Sequence, residues 1–332
     1  MDGALGRTFE EPLAPFRVLP GTHRGHEATQ AQADRMPRES ARKPDFFIVG
    51  APRCGTTWLH RYLSMHPAVY MSRQKEPHYF NSDSRYRWIE TLDEYESLFR
   101  DASPGAQGIG EASVLYLHSA VAAANILRYQ PRARFVAMAR NPLEMSPSWH
   151  RQLLFDQQEE EPDFARAWAS QDARAAGRHV PARCREPAVL QYRSICLLGE
   201  QIARLIGTAD RGRVHVILHD DLRRDPERVY RGVLEFLGLE SWLPPQFAPV
   251  NPARERKSRL LKRVLDSAAR VKQKLRIDRS FGALGRVDGW NTRLAPAPAI
   301  PPSLRTELIG AFADDVELFA RTIGRPLDHW LT

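Results

Sequence analysis

Cysteine is scarce in this chain. The three present in 332 residues, Cys54, Cys184 and Cys196, form no Cys-x-x-Cys pair and no metal-ligand spacing. That excludes a disulfide framework and a zinc-ribbon reading, and a reducing compartment is the simpler inference. Long apolar runs are missing too: no stretch reaches the roughly 20 residues needed to cross a bilayer. The N-terminus has no apolar segment of signal-peptide type. A cytoplasmic chain with no membrane span is the expectation, and no internal repeat suggests a solenoid.

What is present is apolar mass and unevenly placed charge. Hydrophobic residues make up 42% of the chain, ample for a sizeable core. The formal net charge is +8, and residues 254–286 hold 12 Lys/Arg against 3 Asp/Glu, enough to account for the whole excess. Such a run suits nucleic acid, a flap over a polyanionic ligand, or a solvated helix face.

The rest of the chain is read around the stretch from Phe46 to Leu59. Phe46-Phe47-Ile48-Val49 reads as a buried strand. A turn bounded by Gly50 and Gly55 follows, then Thr56, Thr57 and an apolar set at Leu59, Tyr62 and Leu63 with helical spacing. Strand, glycine-bounded loop and helix is the layout of an anion-binding loop, where backbone N–H groups and the helix N-terminus converge on a phosphate. The Walker A pattern places Lys before the final Ser/Thr. Here that place is Thr56, and the basic residue is Arg53. A Mg²⁺-bound triphosphate is poorly served, whereas a 5′-phosphate carrying one further anionic group fits better.

Residues 1–44 are polar and aperiodic and read as a mobile leader. Residues 45–332 read as a single domain in which strands alternate with helices, which predicts an α/β fold with a central parallel sheet flanked by helices. Further strands are expected at Ala68–Met71, Gly108–Ser113, Arg134–Ala139 and Val214–Leu218, with His215 and His219 read as strand residues rather than metal ligands. Helices are expected from Ser119 to Tyr129, around Tyr192–Ile206, after Pro226, and through Leu304, Leu308, Phe312 and Phe319 with Ser303 as cap. Segments 156–190 and 254–295 read as lids.

Two further clusters carry chemistry. Lys75-Glu76-Pro77-His78-Tyr79-Phe80 follows a strand, where α/β sheets line their ligand crevice. Glu76 suits a general base, with His78 as its partner or substitute. Arg140-Asn141-Pro142 follows another strand, with Ser146 and Ser148 beyond, and Arg there can grip a phosphate bidentately.

Together these segments resemble the PAPS-dependent sulfotransferase family, in particular its bacterial and heparan-sulfate-type members, over about residues 45–332. PAPS is 3′-phosphoadenosine 5′-phosphosulfate. Gly50-Ala51-Pro52-Arg53-Cys54-Gly55-Thr56-Thr57 resembles the 5′-phosphosulfate loop, and Arg140-Asn141-Pro142 with Ser148 the 3′-phosphate motif. Lys75–Phe80 resembles the segment whose Glu is taken as base, and Ile323–Trp330 resembles the ending of many bacterial members. The usual loop Lys is Arg53 here, Pro147 precedes Ser148, and the Arg-Lys-Gly motif of steroid and phenol enzymes is absent.

The resemblance implies a P-loop-type three-layer fold and an O-sulfotransferase. It implies PAPS held by Arg53, Cys54, Gly55, Thr56, Thr57 and Trp58 and by Arg140 and Ser148, with Ser146 as the alternative hydroxyl, and no metal. Glu76, with His78, would take the acceptor proton, and Arg53 would offset charge on the leaving phosphate. The partner implied is a hydroxyl-bearing small molecule or glycan, not nucleic acid. A P-loop nucleotide kinase and a non-catalytic polyanion-binding protein are the alternatives.

Overall fold

The computed structural model describes residues 42–248, 254–256, 292–294 and 300–332. Nearly all of the expected leader, and most of the 254–295 segment, lie outside the described residues.

The sheet strands are β1 (Phe46–Gly50), β2 (Val69–Met71), β3 (Gly108–Ala112), β4 (Arg134–Ala139) and β5 (Val214–Leu218). They lie in the order β2-β3-β1-β4-β5, and every neighbouring pair is parallel. β1 is central and buried along its whole length, which is why it reads as an unbroken apolar run rather than an alternating one. From β1 the chain moves toward one sheet edge and from β4 toward the other. Crossovers in opposite directions place helices on both faces of such a sheet, and the strand ends at β1 and β4 are where a parallel sheet opens its crevice. The expected α/β fold with a parallel sheet is the one adopted.

The helices are α1 (Thr56–Met65), α2 (Leu92–Ser97), α3 (Ala122–Tyr129), α4 (Pro142–Phe155), α5 (Phe164–Ala169), α6 (Gln171–Ala175), α7 (Tyr192–Cys196), α8 (Leu198–Ala209), α9 (His219–Arg224), α10 (Pro226–Leu237) and α11 (Pro302–Ile323). α11 turns Leu308, Phe312, Val316 and Phe319 inward and packs on α8 and α4. β6 (Arg254–Arg256) and β7 (Thr292–Leu294) pair as a separate antiparallel ribbon.

Apart from ends shifted by one to three residues, as at Ala122 where the helix expected from Ser119 begins, three departures from the sequence reading have a structural cause. The helix expected over Tyr192–Ile206 breaks at Leu197 (φ −74, ψ 74) into α7 and α8. The cause is remote: buried Asp315 of α11 accepts the Gly199 and Glu200 amides at 2.8 and 2.9 Å, starting a fresh helix from outside. Ser303 is not the cap of α11, which begins at Pro302 after extended Pro301; proline has no N–H for a cap to satisfy. His219 is not in β5 but opens α9.

Candidate active site

β1 ends at Gly50, whose φ of 132° is open to glycine, and a Cβ there would lie 2.3 Å from the Val114 carbonyl oxygen. Gly55 (φ 98°) caps α1 in the left-handed region, and a Cβ would meet Leu222 at 2.7 Å. These two glycines fold the loop tightly enough to leave the α1 N-terminus facing the crevice. No side chain caps that terminus, so its amides remain available for an anion.

The side chains of this loop divide sharply. Cys54 is fully buried, and burial pushes its thiol up to about 12, so it can offer only its backbone. Trp58 is likewise a core residue, 4.8 Å from Tyr62 and 5.4 Å from Phe247 between ring centroids. Thr56 is buried and Thr57 half-buried.

Arg53 sits at φ 64°, in the left-handed region. Its Nε donates to Ser148 Oγ at 3.1 Å and its Nη1 to Gln152 Oε1 at 2.8 Å. Ser148 therefore faces the loop. Ser146, fully buried, donates its hydroxyl to the Pro142 carbonyl at 2.9 Å within its own helix. Between the two serines stands Pro147, inside α4 rather than in its first turn, where it leaves a carbonyl one turn back without its helical donor.

Arg140 closes the other side. Its Nη1 reaches the Arg53 carbonyl at 3.4 Å, while Nε and Nη2 donate to Glu144 Oε2 at 3.0 and 2.7 Å. Asn141 caps α4 by accepting the Leu143 amide at 2.9 Å, and its Nδ2 donates to the Trp330 carbonyl at 3.0 Å. Burial, then the proximity of Arg140 and Arg151, push the Arg53 guanidinium below its ordinary value. Three guanidiniums crowded at one crevice form a cradle whose repulsion a multiply charged anion would relieve.

On the loop that follows β2, Glu76 and His78 are both left-handed, at φ 65° and 51°. Of the six non-glycine residues with positive φ among those described, three are Arg53, Glu76 and His78. Strain of this kind persists only where the surroundings enforce it, and it gathers at functional sites. The Glu76 side chain is 31% exposed and pairs with Lys75 and, at 3.3 Å, with His78 Nε2; the His78 ring is fully buried. Burial raises the Glu76 carboxyl, but Lys75 and His78 outweigh it and hold the group well below the usual carboxylate range. It is thus an ionised acceptor at neutral pH. Tyr86 stands 5.4 Å from the His78 ring and faces both Glu76 and Asp156, and Asp156 in turn faces Arg53. Arg53, Ser148 and Arg140 are thus brought together, with Glu76 on the loop nearby, while Cys54, Trp58 and Ser146 of the sequence-predicted set belong to the interior.

Gln152 and Glu144, the partners of the two arginines, were not found by the sequence reading. Their signal is weak, since polar residues on a half-exposed helix are ordinary. Glu111 was missed as well, although a lone carboxylate inside the apolar strand β3 is a visible anomaly.

Residues 43–246 match the family model described as the sulfotransferase domain. Human bifunctional heparan sulfate N-deacetylase/N-sulfotransferase 2 is 26% identical over 247 residues, covering 71% of this chain and 26% of that protein. The membrane-associated sulfotransferase kil1 of Dictyostelium discoideum is 31% identical over 108 residues, 32% of this chain and 22% of that protein. The chain thus spans about a quarter of the length of these curated relatives. A sulfotransferase from Alicyclobacillus acidocaldarius superposes with a TM-score of 0.65 at 27% identity, covering 88% of this chain and all of that one. With a matching domain over most of its described length and a structural counterpart covering 88% of its whole length, the chain belongs to the sulfotransferase domain family.

Proposed function

We propose that this chain is a PAPS-dependent O-sulfotransferase acting on a hydroxyl of a sugar, glycolipid or secondary metabolite. The observation that carries the reading is the crevice at β1 and β4, where Arg53, Arg140 and Arg151 crowd a helix N-terminus and an ionised carboxylate waits on the adjoining loop. PAPS would supply a sulfuryl group on a phosphate leaving group. Amides of residues 53–58 and the Thr56 and Thr57 hydroxyls would bind its 5′-phosphate, and Arg140 with Ser148 its 3′-phosphate. Glu76, steadied by His78, takes the acceptor proton as the acceptor oxygen bonds to sulfur and the sulfur–oxygen bond to phosphate breaks. Arg53 offsets the charge left on that phosphate, as a permanent cation rather than an acid.

The kinase alternative needs a second-strand Asp for Mg²⁺. Asp220, the nearest candidate, is engaged by the Trp330 indole at 2.7 Å and by His329 at 3.1 Å, which favours the sulfotransferase reading. The N-sulfotransferase relatives make an amino sugar the second acceptor class. A cytoplasmic setting fits three cysteines that are all free.

The test is calorimetric titration with adenosine 3′,5′-bisphosphate (PAP), and with ATP without and with Mg²⁺. This is followed by ³⁵S transfer from labelled PAPS to heparosan, to N-deacetylated heparosan and to simple alcohols. Binding of PAP that is indifferent to Mg²⁺ and weakened about 10–100-fold in Arg140→Ala, with label on a hydroxyl, is expected. ATP·Mg²⁺ binding in place of PAP overturns the reading, and label confined to N-deacetylated heparosan replaces O-transfer with N-transfer.

A further inference from the structure

The loop carrying Glu76 and His78 rests on a group that the transfer scheme does not use. Glu111, in the middle of β3, is fully buried. Its Oε1 accepts the Ser113 hydroxyl at 2.6 Å, and its Oε2 accepts the Tyr95 hydroxyl of α2 at 3.2 Å. Burial pushes this carboxyl up to about 7, with hydrogen bonds from Ser113, Tyr116 and Tyr95 pulling the other way. Tyr95, Tyr116 and, at longer range, Glu76 are the titratable groups facing it. A carboxyl sunk in a strand is costly beside an apolar residue of the same size, so its presence calls for a function.

From Glu111 the bonds run to the loop. Ser113 Oγ accepts the His78 amide at 3.0 Å. The Tyr116 hydroxyl accepts the Tyr79 and Phe80 amides at 2.9 and 3.2 Å. The Ala112 carbonyl accepts the Glu76 amide at 2.8 Å. The amides of residues 76, 78, 79 and 80 are therefore all received by the segment that follows Glu111. Ser113 has a single proton, and Glu111 Oε1 takes it, which turns a Ser113 lone pair toward the His78 N–H. This matters because left-handed backbone at Glu76 and His78 holds only where neighbours over-determine it.

We propose that Glu111 is a positioning residue for sulfuryl transfer: by orienting the Ser113 hydroxyl, next to the Tyr116 anchor, it fixes residues 76–80 in the backbone that aims the Glu76 carboxylate. The inference rests on the reading of Glu76 as the base. Glu111 acts through the loop and touches neither donor nor acceptor.

The experiment uses the full chain labelled with [¹³Cε1]histidine and saturated with PAP, the His78 resonance being assigned from His78→Gln. Glu76→Gln defines where that resonance lies once the Glu76 partner is gone. In Glu111→Ala and Ser113→Ala the His78 resonance is expected to move to or toward that position, while PAP affinity stays within about twofold, as for a remote site. Glu111→Gln keeps an oxygen for the Ser113 proton and is expected to restore the wild-type position. If Glu111→Ala does not fold, Ser113→Ala and Glu111→Gln decide the matter. A His78 resonance at its wild-type position in Ser113→Ala overturns the proposal, as does one displaced equally by Gln and Ala at 111. Failure of the parent reading looks different: wild-type protein binding no PAP, or Glu76→Gln transferring ³⁵S at the wild-type rate, with the resonance result still legible.

Discussion

The proposed phosphate side of the crevice offers backbone amides and cations that already hold partners, and the proposed acceptor side a single carboxylate. Arg140 rests on Glu144, and Arg53 on Ser148 and Gln152. The acceptor side presents one carboxylate on a backbone stitched down by buried hydroxyls. The first side must release contacts before a ligand can take them, and it suits a multiply charged anion. The second side releases nothing and keeps one group at one angle. Both sides share a support. Residues 112–116 receive the Glu76 loop, while the Ser113 and Leu117 amides donate to the Ile48 and Val49 carbonyls of β1 at 3.0 and 2.8 Å.

The largest effect should come from the acceptor side alone. Glu76→Gln is expected to slow ³⁵S transfer by about 10²–10⁴-fold with PAP affinity retained. Equal loss of both would show that the two sides are not separable. Next in size is a purely structural break. Glu159 accepts Arg174 Nη1 and Nη2 at 2.5 and 2.9 Å and the Tyr192 hydroxyl at 2.5 Å, with both charged side chains nearly inaccessible. Leaving Arg174 unpaired in Glu159→Gln should cost about 3–5 kcal/mol, read as a lower melting temperature, while PAP binding in the cold is unchanged.

The two carboxyls of the acceptor side should also respond to pH in opposite senses. Glu111 is raised from 4.5 to about 7, so its folded state holds the proton more tightly. Its favourable contribution is complete below pH 4.5 and is lost as pH rises through 7, by on the order of 3 kcal/mol. Glu76 is lowered, so its contribution is present above the ordinary 4.5 and lost only as pH falls through its depressed folded value. Denaturant midpoints from pH 5 to 8 should therefore fall in wild type relative to Glu111→Gln, and a parallel pair of curves would contradict the assignment.

Smaller effects belong to the phosphate side. Arg140→Ala removes charge-assisted bonds and should weaken PAP by about 10–100-fold in calorimetry. Glu144→Gln frees Arg140 from a partly exposed i,i+4 pair and should tighten PAP by about 1.5–5-fold. A weakening there would mean that Glu144 orients Arg140 rather than competing for it.

Much of this was legible in the sequence where the determinants are local. The strand, the two glycines and the helix start lie within Phe46–Leu59, and period and turn chemistry reveal such a unit directly. The Asn141 cap and the Glu76-Pro77-His78 cluster are equally local. The support of Glu76 was not legible, because Ser113 and Tyr116 reach it across 35 to 37 positions. The break at Leu197 was hidden for the same reason, its cap arriving from Asp315 more than 100 positions downstream. Periodicity reports how a segment meets the core in general, not which remote side chain ends it.

The docking of Trp330 has a consequence for the order of folding. Asn141, beside Arg140, completes its hydrogen bonding with the Trp330 carbonyl 189 positions away, and the Trp330 indole closes on Asp220 in the first turn of α9. Closing so long a loop is entropically slow. The five strands and the glycine-bounded loop can all be in place while the turn bearing Arg140 is still unfastened. A newly made chain would pass through a stage with an intact sheet and an unfastened Arg140 turn, and the geometry of that turn would ripen last.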